Sequence, residues 1–175
     1  LPPKIDTSKA TFIGIHPGSK WAEKCWPLER FVDLIKRLNL NFPHYPIHLY
    51  AGPDERVCLP SDLGVLYRSG LSISELSDEL KQCRLFISND NGIMHLAGWV
   101  GVSVVGIFGM SDPVQWHALG NAQNVVKSGV SCTPCNKLGQ MTPCEDRQCL
   151  QTISVDQVWA KVVKELTATN VLSAD

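Results

Sequence analysis

The sequence carries no excess of positive charge: sixteen Lys and Arg stand against seventeen Asp and Glu, a formal net charge of −1. No basic field therefore argues for nucleic acid as a partner, and no stretch interleaves aromatics with Lys or Arg. No apolar run approaches the length of a membrane span. No signal peptide is visible at the start, and no internal repeat or low-complexity tract follows. The chain opens Leu1-Pro2-Pro3-Lys4 without a Met, so a signal or a whole domain upstream is left open as an expectation. The cysteines do not come as an even framework. There are seven, with Cys25, Cys58 and Cys83 scattered and Cys132, Cys135, Cys144 and Cys149 clustered. A disulfide-stapled secreted fold has a different pattern, so a reducing compartment with one metal-like or redox-labile cluster is expected.

What is present is an alternation of strand and helix signals along 175 residues, enough for one domain with a sizeable core. Strands are expected at Thr11–His16, Ile47–Tyr50, Val65–Tyr67, Leu85–Ser88, Val104–Phe108 and Val125–Val126. A helix is expected to begin at Pro27 and to bury Phe31, Leu34, Ile35 and Leu38. A second, capped by Ser72 or Ser74, places Ile73, Leu76, Leu80 and Cys83 on one face. A third follows from about residue 92 to 100, and a closing helix runs from Ser154 to about Leu166. Short apolar strands separated by helices pair in parallel with both faces covered. The expected fold is α/β, a Rossmann-like, doubly wound parallel sheet of about six strands. Ligands bind such sheets beyond the carboxyl ends of the strands, where the loops after strands one, two, four and five are polar and bear Gly or Pro.

The most informative stretch is Asn89-Asp90-Asn91-Gly92-Ile93-Met94-His95, directly after an apolar strand. A polar turn with Gly92 opens a helix there. Free N–H groups and the positive helix end can hold a diphosphate, although an ordinary capped turn has the same layout. Asp90 and Asn91 are good N-cap residues, and Gly92 admits close approach to the backbone. His95 either donates to a phosphate or packs beneath the turn.

Four motifs in order carry a resemblance. They are His16-Pro17-Gly18-Ser19 with Lys24-Cys25-Trp26-Pro27, then Gly52-Pro53-Asp54-Glu55, then Asp90 to Ala97, then Phe108-Gly109-Met110-Ser111-Asp112-Pro113. Over about residues 11 to 166 the chain resembles the ADP-heptose:lipopolysaccharide heptosyltransferase family of bacterial glycosyltransferases. The resemblance implies the C-terminal, donor-holding half of a two-domain GT-B fold. Residues 1–10 would be a linker and 11–175 the donor-binding domain, with a cysteine-rich loop at 130–150. It also implies an N-terminal acceptor-binding domain, elsewhere in the protein, that supplies the acidic catalytic base.

On this footing Lys24 is expected to neutralise the phosphate leaving group, with Lys20 as a competitor in the same loop. Gly18, Ser19, Asp90, Asn91, Gly92 and His95 are expected to line the donor. Family members usually carry Ser or Thr where Asn91 stands. Glu55 is expected to accept the ribose hydroxyls, and Asp54 can do the same job. Asp112 fits a helix cap better than a donor contact. Trp21, Trp26, Trp99, Trp116 and Trp159 are candidates for core or cleft wall.

Four soft ligands within eighteen residues, Cys132 to Cys149, suit a structural Zn or Fe, or else two disulfides or four free thiols. A cysteine cluster recurs here in many family members, and some relatives place iron there. No metal is expected in catalysis. The implied reaction moves a sugar, heptose foremost, from a nucleotide-diphosphate donor to lipopolysaccharide core or a related lipid or glycan acceptor. The implied location is the bacterial cytoplasm or the inner face of its inner membrane. A non-catalytic nucleotide-binding module, or another nucleotide-sugar enzyme such as an epimerase, is the alternative.

Overall fold

The computed structural model describes residues 10–52, 55, 57–135 and 144–168. Of the expected elements, the linker and the middle of the cysteine loop fall largely outside these residues, as do Pro53 and Asp54.

Six strands form one parallel sheet: β1 (Phe12–His16), β2 (Ile47–Tyr50), β3 (Val65–Arg68), β4 (Cys83–Asn89), β5 (Val104–Phe108) and β6 (Val125–Lys127). Their spatial order is β3-β2-β1-β4-β5-β6. All five pairings are parallel; Ile13 sits opposite Ile47 on one side and Leu85 on the other. The chain winds outward in both directions from β1 and β4. The crevice between the loops that leave these two strands is where such a sheet accepts ligands.

Helices α1 (Leu28–Asn41) and α6 (Val155–Thr167) cover one face of the sheet. Phe31, Leu34, Ile35 and Leu38 of α1 and Val158 and Val162 of α6 pack there on Ile13, Ile15, Ile87 and Ile107. Helices α2 (Ile73–Leu80) and α3 (Gly92–Trp99) cover the other face through Leu76, Leu80, Met94 and Ala97, against Phe86, Val104 and Phe108. The short α4 (Pro113–Trp116) and α5 (Gln148–Gln151) lie beyond the carboxyl ends of the strands. Pro27 is the residue before α1 rather than its first turn, and Ser154 caps α6 with a reciprocal bond from Gln157. Asp112 accepts from the Val114 N–H and caps α4, as expected. Ser72 caps α2 in a capping box with Glu75.

One helix face departs from expectation. Ile73 is 77% exposed, and Cys83 already belongs to β4. The helix stops at Leu80, so the buried stripe shortens to Leu76 and Leu80, and Ile73 turns toward the crevice.

A polar cluster fastens α2 to the sheet. Glu79 accepts from Tyr50 Oη at 2.8 Å and from Arg68 Nη2 at 2.5 Å, and it pairs with His48 Nδ1 at 3.0 Å. Burial pushes the Glu79 carboxyl up, but these three partners outweigh it and hold its pKa below the ordinary 4.5. Among the described residues no helix is long and apolar enough to cross a membrane.

Candidate functional site

The crevice at the switch point is a cavity of about 930 Å³. Its polar lining is His16, Ser19, Lys20 and Lys24 from the stretch that follows β1, Glu55 from the loop after β2, and Asp90, Asn91, Gly92 and His95 from the turn after β4. Its apolar lining includes Trp21, Ile73, Trp99 and Trp116. Every polar residue expected to touch the donor, Gly18 excepted, lines this cavity. Gly18 stands beside it and presses on Glu55.

The β1 loop and the β4 turn are stitched together by side-chain amides. Asn89 Nδ2 donates to Pro17 O at 2.6 Å, and Asn89 Oδ1 accepts from Trp26 N at 3.0 Å. Asn91 Nδ2 donates to Gly18 O at 3.0 Å and to Ser88 Oγ at 2.8 Å, while its Oδ1 caps α3 by accepting from Met94 N at 3.0 Å. The Asn91 side chain is thus committed within the protein. A helix's first turn leaves backbone N–H groups without intrahelical partners, and at α3 these belong to Gly92 and Ile93. A Cβ built on Gly92 meets nothing within 4 Å, and both Gly92 and Ile93 line the cavity.

Lys24 Nζ bonds Asp90 Oδ2 at 2.6 Å, and His95 Nε2 lies 3.8 Å from the other Asp90 oxygen. Asp90 is 5% exposed, so this pair sits in a poorly solvated wall. Lys20 instead holds its ammonium 5.5 Å from the centre of the Trp21 ring. Of the two lysines, only Lys24 faces the turn that opens α3.

Asp54 lies outside the described residues; from the loop after β2 it is Glu55 that reaches the cavity. Its Oε2 bonds His16 Nε2 at 2.6 Å and accepts from Gly52 N at 2.8 Å. The His16 bond holds the Glu55 pKa below its ordinary 4.5, against the upward push of burial, with the Gly52 N–H adding to it. Sequence reasoning missed His16 as a site residue, and it missed Asn89. The available signal was a polar residue ending an otherwise apolar strand, at the carboxyl edge where ligands bind.

The tryptophans divide as expected. Trp26 is core, with Nε1 donating to Ile153 O at 3.0 Å. Trp159 packs on Phe42, and the other three line the crevice.

The paired-disulfide expectation for the cysteine loop is corrected. Among the described residues no three His, Cys, Asp or Glu side chains are gathered closely enough to hold a metal ion. Cys132, Cys144 and Cys149 carry free thiols rather than disulfides. Cys135 is half-buried and its N–H donates to Met110 O at 3.0 Å. The charges of Cys135, Cys132 and Cys144 all bear on the Cys149 thiol, whose pKa burial pushes up. Cys149, on α5, is buried beside Gly109, where an added Cβ would lie 3.1 Å from Sγ, while Cys132 is exposed.

Comparison with known proteins gives the same direction. The chain is 24% identical over 167 residues to lipooligosaccharide heptosyltransferase 2 of Campylobacter jejuni, covering 89% of this chain and 51% of that protein. It spans about half the length of the two Campylobacter relatives it matches. Its fold resembles ADP-heptose lps heptosyltransferase II of E. coli, with TM-score 0.67, 19% identity, and coverage of 91% of this chain and 47% of that one. It also resembles TibC of enterotoxigenic E. coli, described as a dodecameric iron-containing heptosyltransferase and solved in complex with ADP-D-beta-D-heptose. There the TM-score is 0.70 at 18% identity, covering 95% and 49% of the two chains. The family model for glycosyltransferase family 9 (heptosyltransferase) matches residues 3–144, and with that the chain belongs to this family.

Proposed function

We propose that residues 11–175 form the donor-binding domain of a heptosyltransferase-like glycosyltransferase, with residues 1–10 as a linker. It works beside an acceptor-binding domain that supplies the catalytic base. The complete enzyme transfers a sugar, heptose foremost, from an ADP-sugar to lipopolysaccharide core or a related lipid or glycan acceptor, at the cytoplasmic side of a bacterial inner membrane. The observation that carries this reading is the convergence of Lys24, Glu55, Asp90 and the first turn of α3 on one cavity at the switch point.

Each group has a task in this reading. The N–H groups of Gly92 and Ile93 and the positive end of α3 cradle the diphosphate. Lys24 exchanges Asp90 for the phosphate on which charge grows as the sugar leaves. This positive charge takes the place a divalent cation holds in metal-dependent transferases. Asp90, released from Lys24, accepts from sugar hydroxyls. Glu55 accepts from the ribose hydroxyls, and the apolar wall of Ile73 and Trp99 offers a surface to the base. His95 stands one helical turn in and donates to phosphate.

Calorimetric titration with ADP, UDP and GDP tests the reading. Binding of ADP in preference to the others supports it. Absence of binding by any nucleoside diphosphate would leave a family member that has lost its donor.

A further inference from the structure

We propose that His16 is a positioning residue that sets the orientation of the Glu55 carboxylate, and thereby the selectivity of the site for a nucleotide with intact ribose hydroxyls. The inference rests on the reading of Glu55 as the ribose acceptor. Three constraints act on that carboxylate. His16 Nε2 and Gly52 N both bond to Oε2, at 2.6 and 2.8 Å. On the third side Gly18 has no side chain, and a Cβ there would come within 2.4 Å of the same oxygen. Oε1 takes neither bond. A carboxylate fixed by one oxygen presents the other in a set direction, and its orientation no longer has to be ordered when ligand arrives.

The imidazole itself argues for this role. His16 is 2% exposed, and its Nδ1 is buried without a hydrogen-bond partner among the described residues. An aliphatic residue at the end of β1 would fill the space without an orphaned nitrogen, which is costly in a protein interior. The one bond described for the ring goes to Glu55. That bond also leads the causes that keep Glu55 ionised, the form able to accept hydroxyl donors. Among the described residues, the other titratable or charged groups facing this pair are Lys20 and Cys25 on the β1 loop, Lys24 and Asp90 bonded to each other, His95 on α3, and Arg147 before α5.

The test compares dissociation constants for ADP and 2′-deoxy-ADP in the protein and four variants, with thermal melting to verify folding. The parent should favour ADP by about tenfold, the size of one hydrogen bond to a charged acceptor. His16→Phe fills the volume without an N–H and should bring the two ligands near parity. His16→Gln restores an N–H near the Nε2 position and should keep the preference. His16→Asn is too short to reach Glu55 and should lose it. In the Phe variant, any residual preference should fade at a higher pH than in the parent, since Glu55 has lost the donor that lowers its pKa. Unchanged preference in His16→Phe would overturn the proposal. If that variant does not fold, equal preference in the Gln and Asn variants overturns it instead. Glu55→Ala separates the two levels. Should it retain the preference, Glu55 is not the ribose acceptor and both readings fall.

Discussion

At the scale of single residues, the site holds its charges in pairs. Lys24 is neutralised by Asp90 at 2.6 Å in a wall where Asp90 is almost fully buried. Lys24→Ala should weaken ADP binding by about 1.5–3 kcal/mol, because a charge-assisted contact in a desolvated setting is lost. Adenosine has no phosphate for Lys24 to meet and should lose much less. Titration of both ligands checks this, and equal losses would mean that the substitution acts through structure. The acidic pairs also predict a pH response. Glu55 and Glu79 have folded pKa values below the ordinary 4.5. In the range just below 4.5 the unfolded chain therefore binds more protons, and stability rises with pH there. Their contribution is fully present above 4.5 and is lost as pH falls through the lowered values. Glu79→Gln should flatten part of that rise in melting temperature against pH.

At the scale of elements, hydrophobic period was enough to locate nearly every strand and helix. The strands Ile47–Tyr50 and Val104–Phe108 appear with the expected ends. Runs of β-branched and aromatic residues bounded by Gly and Pro leave little choice there. The errors have a common cause: a pattern continued past its element. Cys83 keeps the α2 period but is drawn into β4 by the strand beside it. The turn that opens α3 was legible because Asn91 and Gly92 have local meaning at a helix start. His16 and Asn89 were not, because their partners lie 39 and 72 positions away. The disulfide expectation for the cysteine cluster was not met, because closeness in sequence does not by itself bring two thiols into bonding geometry. Thiol titration should find Cys58 and Cys132 reacting quickly, both being exposed. Cys83 should react only on unfolding, since it is buried and its pKa is pushed up to about 12. Protection of Cys132 together with about one Zn or Fe per chain would restore a metal site with four thiolate ligands.

At the scale of the whole molecule, the two faces of the sheet differ in what they serve. The face under α1 and α6 carries aliphatic contacts remote from the crevice. Leu34→Ala there should cost about 2–5 kcal/mol of stability by leaving a cavity, as measured by denaturant unfolding. Nucleotide affinity in the surviving folded fraction should be unchanged. The chain alone, assayed with a defined acceptor and ADP-heptose, should bind ADP and transfer no sugar. Transfer by this chain alone would overturn the assignment of base and acceptor to another domain.

The stitching of the β1 loop to the β4 turn has a kinetic meaning. Its bonds join residues 63 to 73 positions apart, so no local segment can complete the crevice early. Contacts of that range close slowly, after local helices have appeared. Nucleotide binding should therefore be regained on refolding only with the final amplitude, not with the fast gain of helix signal. Ligand added during refolding should leave the folding rate nearly untouched and slow unfolding instead. In a cell, the donor would act as a brake on loss of the native state rather than as a template for reaching it.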